Sequence, residues 1–203
     1  MSELNVKALQ CAHCASRPCA ARTDTPGVGQ GQCLLSPLTS EERQGLVDYY
    51  QQGEAYDIMA ASDAVMGKSI PEKWSHVREI VEFCRQMGFT RIGIATCISF
   101  HDESRVLSKL LKAEGFEVYS AICKTGEVTK GEVGLPTDDP ECPVCNPLRQ
   151  AQLLNAAKTQ LNIILGLCIG HDALFTKLSD GLVTTYFSKC YAHDHNARAD
   201  LLP

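Results

Sequence analysis

Three short runs of strand type each end in a cysteine, and this repeat constrains the fold more than any other feature of the chain. The runs are RIGIATC (91–97), FEVYSAIC (116–123) and LNIILGLC (161–168). The first run is short, contains several β-branched residues and is nearly all apolar, as a strand covered on both faces should be. The pattern predicts three strands of one sheet, each with a cysteine at its carboxyl end.

Helical patterns alternate with these strands. One helix is expected to begin near Asp102, which suits the N-cap position, and to end at Gly115. Another begins at Pro147, since proline is favoured in a first helical turn. A last helix over 171–178 and a strand over 182–188 complete a β-α-β-α-β-α-β series. This order predicts an α/β fold, a Rossmann-like open parallel sheet of about four strands with helices on both faces and right-handed crossovers.

The carboxyl ends of parallel strands share one edge of a sheet, where ligands bind at a topological switch point. Cys97, Cys123 and Cys168 take that place, and the long loop before Pro147 adds Cys142 and Cys145. The simpler interpretation is three buried core residues, because free cysteine is among the most buried residue types. The shared position favours instead a thiolate site for zinc or an iron–sulfur cluster.

Residues 1–37 form a separate Cys-rich segment before an α/β domain over 38–203. The segment has few large aliphatic side chains, so burial alone cannot fold it. A bound metal could, because the binding free energy of a structural site, on the order of 10 kcal/mol, becomes folding free energy. The spacing C-x2-C-x4-C-x13-C predicts a metal site but does not choose between zinc and iron–sulfur. The four ligands would be Cys11, Cys14, Cys19 and Cys33.

Charge and cysteine usage indicate a cytoplasmic protein without nucleic acid or membrane partners. The net charge of −5 provides no basic surface for phosphates. The N-terminus lacks the apolar stretch of a signal peptide, and no run is long enough for a membrane helix. Disulfides are rare in a reducing compartment, so eleven cysteines, an odd number, indicate metal binding or redox chemistry.

The segment GLCIGHDALF places polar groups beside Cys168. Backbone N–H groups at the start of the following helix favour an anion and should lower the pKa of the Cys168 thiol. His171 is either a proton donor to a substrate or a helix-end residue bonded to backbone, and Asp172 is either an N-terminal cap or an orienting carboxylate. A second polar cluster, His193, Asp194 and His195, is more typical of a surface turn.

Several sequence blocks resemble an uncharacterised family of Cys-rich metal-binding proteins, domain of unknown function 1847. The blocks are CAHCASRPC with Cys33, KWSHVREIVEFCRQMGFTRIGIATCISFHDE, GFEVYSAICKTGE, CNPLRQAQLLNAAKTQLNIILGLCIGHDALFTK and HNARADL. Cys145, in CNP, fits the family pattern better than Cys142. The resemblance implies metal binding and the co-location of Cys97, Cys123, Cys145 and Cys168 with His171 and Asp172.

These observations predict a metalloprotein with an N-terminal four-cysteine site and a second thiolate site at the sheet edge. The expected cofactor is an iron–sulfur cluster of the 4Fe-4S type, with zinc as the alternative. The expected chemistry is redox, electron transfer or sulfur-related, with a redox partner protein or a small anionic ligand. Two alternatives stay open: a zinc-binding non-enzymatic module for metal delivery or protein interaction, and a thiol-based enzyme with Cys168 as nucleophile and His171 as base.

Overall fold

The computed structural model of the chain describes residues 11–13 and 38–201. Of the four predicted N-terminal ligands, Cys11 lies in a short 3-10 helix, Cys11–His13, and is exposed. The other three, Cys14, Cys19 and Cys33, lie outside the described residues. The N-terminal metal site therefore stays a prediction.

Four strands form one all-parallel sheet in the order β2-β1-β3-β4. The predicted α/β fold is therefore confirmed. The strands are slightly shorter than predicted. Cys97, Cys123 and Cys168 therefore come after the ends of three strands instead of forming their last residues. The strands are β1 (Arg91–Thr96), β2 (Glu117–Ile122), β3 (Leu161–Leu165) and β4 (Leu182–Phe187).

Six α-helices accompany the sheet in the described residues, and none of them is long and apolar enough to cross a membrane. The chain divides into two compact units, one up to Ala60 and one from Ala61 onward, and the sheet belongs to the second. The helices are α1 (Ser40–Tyr50), α2 (Gly53–Glu72), α3 (His76–Gln86), α4 (His101–Ala113), α5 (Pro147–Ala156) and α6 (His171–Leu178).

Local signals explain where α5 begins, but not where α4 begins. Asn146 caps α5, since its Oδ1 accepts a hydrogen bond from the Arg149 N–H at 2.9 Å, and Pro147 occupies the first turn. The expected N-cap of α4 at Asp102 is wrong, because α4 begins one residue earlier and Phe100 takes the cap position. Asp102 instead lies in the first turn, where its Oδ1 pairs with Arg105 Nη2 at 3.0 Å.

The central strands β1 and β3 are buried along almost their whole length. The sheet is close-packed at Gly93, which pairs with Asn162 across the two strands. A Cβ at Gly93 would overlap the Asn162 side chain and contact Leu154 of α5. Only glycine fits here, because the neighbouring side chain occupies the space above the strand.

The strand order creates a topological switch point. The chain moves from β1 outward to β2, and then crosses back to place β3 on the other side of β1. Successive strands are therefore added on opposite sides of β1. In open α/β sheets the ligand-binding crevice lies at such a switch point, which here is outside the carboxyl ends of β1 and β3. The two strand ends are joined there by a hydrogen bond from the Cys97 N–H to the Leu165 carbonyl, with an N···O distance of 3.3 Å.

Candidate thiol site

Cys97 and Cys123 are the first residues after β1 and β2, and both are buried. The Cys123 N–H donates to the Thr96 carbonyl at 2.9 Å, which holds the two strand ends in register. Cys168 follows the end of β3 at Leu165 by three positions and is half-buried. The expectation that all three cysteines sit at equivalent positions thus holds for two of them, while the third lies on the turn before α6.

Gly166 explains why β3 ends before its cysteine. Its φ of +63° is in the left-handed region, which favours glycine, and a Cβ there would overlap the Phe100 ring. The chain turns at this residue, so Cys168 reaches the strand-end crevice from a loop.

Four thiols from four separate segments interact at this edge of the sheet. Burial, with smaller contributions from the neighbouring thiols of Cys145 and Cys97, raises the pKa of Cys123 to about 12, although a hydrogen bond from the Ile98 N–H to Cys123 Sγ at 3.3 Å acts to lower it. Burial also raises the pKa of Cys168, where Cys97 and Cys145 again contribute. The structure therefore brings together Cys97, Cys123, Cys145 and Cys168, and their role as ligands stays a prediction.

Backbone contacts fix the loop thiol, Cys145, beside Cys123. The Asn146 N–H donates to the Cys123 carbonyl at 2.7 Å, so the residue before the α5 helix is tied to the end of β2. Cys145 packs against the core, whereas Cys142 Sγ lies 3.8 Å from the Pro143 carbonyl oxygen. Cys145, rather than Cys142, is thus the loop thiol that interacts with the others.

Lys189 supplies a positive charge to the site. Its ammonium nitrogen lies 3.2 Å from Cys97 Sγ and 3.3 Å from Ser99 Oγ. Burial alone would raise the pKa of Cys97, but hydrogen bonds from Ser99 and Lys189 and the lysine charge outweigh it, so the pKa is lowered. The surroundings thus stabilise the thiolate form of Cys97, in contrast to Cys123 and Cys168, whose pKa values are raised.

Contacts with the C-terminal segment hold Lys189 in place. A hydrogen bond with the Tyr191 side chain raises the pKa of Lys189, and the thiols of Cys97 and Cys168 add to that rise. The His195 ring packs edge-on against Phe100 with centroids 4.7 Å apart, and its Nδ1 accepts from the Cys190 N–H at 3.2 Å. The cluster predicted as a surface turn is a turn, in which His193 and Asp194 are exposed and His195 packs on Phe100.

His171 and Asp172 begin α6, but their side chains do not form hydrogen bonds with the thiols. Both backbone N–H groups donate to the Cys168 carbonyl, at 3.0 and 3.2 Å, and Asp172 Oδ1 accepts from the Ala173 N–H at 2.7 Å. The N-cap is Gly170. The predicted lowering of the Cys168 pKa is wrong, because burial and the neighbouring thiols raise it. Within the described residues no hydrogen bond joins Cys168 Sγ to the His171 ring, and the pairing of the two as nucleophile and base stays a prediction.

Gln150 of α5 joins the strand ends beneath the thiols. Its Nε2 donates to the carbonyls of Thr96 and Ala121, at 3.1 and 2.7 Å, and its side chain is fully buried. The Oε1 of this amide is buried without a hydrogen-bond partner in the described part of the chain. Gln150 thus fixes the spacing between the residues that precede Cys97 and Cys123.

Over residues 11–13 and 38–201, no three His, Cys, Asp or Glu side chains form a group that could hold a metal ion as placed. All the cysteines of these ranges are free thiols. The kind of donor is nevertheless selective, because four thiols suit soft metals rather than Mg²⁺ or Ca²⁺, which prefer oxygen ligands. Among the described residues, no Asp or Glu side chain forms a hydrogen bond with any of the four thiols.

Comparison with known proteins shows that most of the chain matches one protein family. The model of the family described as Protein of unknown function (DUF1847) matches residues 35–186. The matched range contains Cys97, Cys123, Cys145 and Cys168, but it leaves out Lys189 and the N-terminal cysteines that the sequence resemblance included. The chain is also similar to the uncharacterised protein MJ0455 of Methanocaldococcus jannaschii, with 38% identity over 75% of this chain and 79% of that protein. No solved structure matches. The extent of the family match shows that the chain belongs to DUF1847.

Proposed function

We propose that Cys97, Cys123, Cys145 and Cys168 form a thiolate metal site that binds an iron–sulfur cluster and serves redox or sulfur-related chemistry. The observation that carries this proposal is the interaction of four thiols from four chain segments at the switch point of a parallel sheet. The other reactant would be a redox partner protein or a small anionic ligand.

Two N–H···S hydrogen bonds support a site for charged sulfur ligands. The Ile98 N–H donates to Cys123 Sγ, and the Lys189 ammonium donates to Cys97 Sγ. Hydrogen bonds of this kind stabilise negative charge on ligand sulfurs and tune the potential of a bound cluster. Several thiolates in a buried site also need a countercharge, which Lys189 supplies. When bound, the cluster would contribute one-electron transfer.

The test compares metal content between two double variants after anaerobic purification. Both are made in a Cys11→Ser/Cys14→Ser background, so that metal at the N-terminal segment does not obscure the result. We expect Cys97→Ser/Cys168→Ser to lose iron and acid-labile sulfide, because two of the four thiolates are gone. The matched control, Cys142→Ser/Cys190→Ser, removes two cysteines elsewhere and should keep both.

Each other result contradicts the proposal in a defined way. Equal iron and sulfide in the two double variants would show that the four thiols are not the ligands. A colourless protein that contains stoichiometric zinc, lost in the Cys97→Ser/Cys168→Ser variant, would favour the zinc-binding module instead. Circular dichroism of each variant confirms that the comparison is between folded proteins.

A thiol-based enzyme is the second candidate, and one contact favours it. Cys97, with its lowered pKa, lies 3.2 Å from the Lys189 ammonium, so it is the thiol best prepared to act as a nucleophile. The nucleophile predicted from the sequence is Cys168, whose pKa is raised, so the two thiols are the alternatives that the test compares. Alkylation of metal-free protein with iodoacetamide would support the candidate if Cys97 reacts first, and reaction of Cys168 before Cys97 would contradict it.

A further inference from the structure

A cleft separate from the thiol site opens between α4 and the edge strand β2. Its volume is about 440 Å³, within the range of small-molecule sites. Thr96 and Ile122, the last residues of β1 and β2, line its inner end. No cysteine of the described residues is among those that line it.

Three cations from one face of α4 line this cleft. Arg105, Lys109 and Lys112 are spaced by four and three residues, which aligns their side chains on a helix. Arg105 is paired with Asp102, but Lys109 and Lys112 form no ion pair within the described residues. No Asp or Glu of the described residues lines the cleft, although the whole chain has a net charge of −5. The cleft is therefore a local concentration of positive charge.

Hydroxyl groups add hydrogen-bond donors to these charges. Ser104 donates to the His101 carbonyl at 3.1 Å. The hydroxyls of Ser108 and Ser120 also face the cleft, and within residues 11–13 and 38–201 neither forms a hydrogen bond. Ammonium, guanidinium and hydroxyl donors around one space are the groups that bind phosphate oxygens.

Lysines on an exposed helix face are usually solvated and bind no ligand. Here the lysines line a cleft, which favours ligand binding instead. Ser104 and Thr96, which line the cleft, are only 6% and 2% exposed, so the cations surround a recess and not a convex surface. We propose that the cleft between α4 and β2 binds a small phosphorylated molecule, with Lys109 and Lys112 holding the phosphate and the remaining volume holding the rest of the molecule.

The first test titrates the full chain with ribose 5-phosphate at constant ionic strength, followed by calorimetry and by amide NMR shifts. We expect saturable binding with shift changes at Ser104, Ser108 and Ser120. Lys109→Gln/Lys112→Gln should weaken binding by about tenfold or more, because two charge-assisted contacts are lost. The matched control, Lys68→Gln/Lys177→Gln, changes the net charge equally at exposed lysines of α2 and α6 and should keep the affinity.

Two further measurements separate a built site from general attraction of anions. Ser120→Ala leaves the charge unchanged and should still weaken binding several-fold, because one hydroxyl hydrogen bond to the ligand is lost. Inorganic phosphate should bind more weakly than ribose 5-phosphate, since it leaves most of the cleft empty. The proposal is overturned by equal loss in the two lysine doubles, by an unchanged affinity in Ser120→Ala, or by equal affinities for the two probes.

Discussion

Cys97 and Cys123 occupy matching positions after neighbouring strands, yet their surroundings favour opposite protonation states. Cys123 is buried beside two other thiols and its pKa is raised to about 12. Cys97 is also buried, but it accepts hydrogen bonds from Lys189 and Ser99, and its pKa is lowered. Since the thiolate is the reactive and metal-binding form of cysteine, Cys97 becomes available for chemistry at lower pH than Cys123 or Cys168.

Replacing Lys189 should change the reactivity of Cys97 in metal-free protein. Lys189→Gln removes the ammonium that stabilises the thiolate, so the pKa of Cys97 should rise and less thiolate should be present at neutral pH. The measurement is the rate of iodoacetamide alkylation at Cys97 as a function of pH, with the modified peptide identified by mass spectrometry. We expect the midpoint of the rate profile to move to higher pH.

Lys177→Gln is the control for that change, because Lys177 is an exposed lysine of α6. Its profile should match that of the unmodified sequence. A profile of Lys189→Gln that also matches would show that the lysine contact has no influence on the Cys97 thiolate.

At the scale of single residues, the sequence predicts the thiols better than their partners. Cys97 and Cys123 could be placed because they directly follow runs of strand type. Lys189 follows the end of β4 by two residues and so shares the same edge, but one lysine after a strand is ordinarily solvated, and the sequence analysis missed it. Gln150 could not be found at all, because its hydrogen bonds to Thr96 and Ala121 depend on how α5 packs on the sheet.

At the scale of elements, the strands follow from their composition, while their ends depend on contacts. β1 was predicted to run through Cys97 and ends one residue earlier. β3 was predicted to run through Cys168 and ends at Leu165, because the Gly166 backbone turns where the Phe100 ring leaves no room for a Cβ. An aromatic ring from a distant segment is not visible in the local pattern, so this boundary could not be predicted.

The packing between β1, β3 and α5 gives a stability prediction. In Gly93→Ala the added methyl would overlap the Asn162 side chain, which is fully buried and held by Thr159 and Ser179. Overpacking of this kind typically costs about 1–3 kcal/mol. Urea unfolding should therefore show a lower free energy of unfolding for Gly93→Ala.

Gly67→Ala provides the comparison within α2, since a Cβ there meets nothing within 4 Å. Alanine is favoured over glycine in a helix by about 1 kcal/mol, so this variant should be neutral or more stable. Equal free energies of unfolding in the two variants would contradict the close packing inferred at Gly93.

At the scale of the whole molecule, the strand order makes distant parts of the sequence meet. The thiols come from positions as far apart as Cys97 and Cys168, and they interact because the order β2-β1-β3-β4 places the ends of β1 and β3 side by side. A parallel sheet with this order was predictable from the alternation of elements. The geometry of the thiols within the crevice was not, because it depends on two loops and on the packing of the C-terminal segment.

Metal binding at the thiol site should therefore stabilise the sheet as a unit. A ligand that binds only the folded state raises the free energy of unfolding, by about 2.7 kcal/mol when its concentration is a hundred times its dissociation constant. The four proposed ligands come from four segments that meet only in the folded chain, so protein reconstituted with iron and sulfide should have a higher Tm than metal-free protein. The rise should disappear in Cys97→Ser/Cys168→Ser and persist in Cys142→Ser/Cys190→Ser. A rise of the same size in both variants would place the stabilising metal outside the four-thiol site.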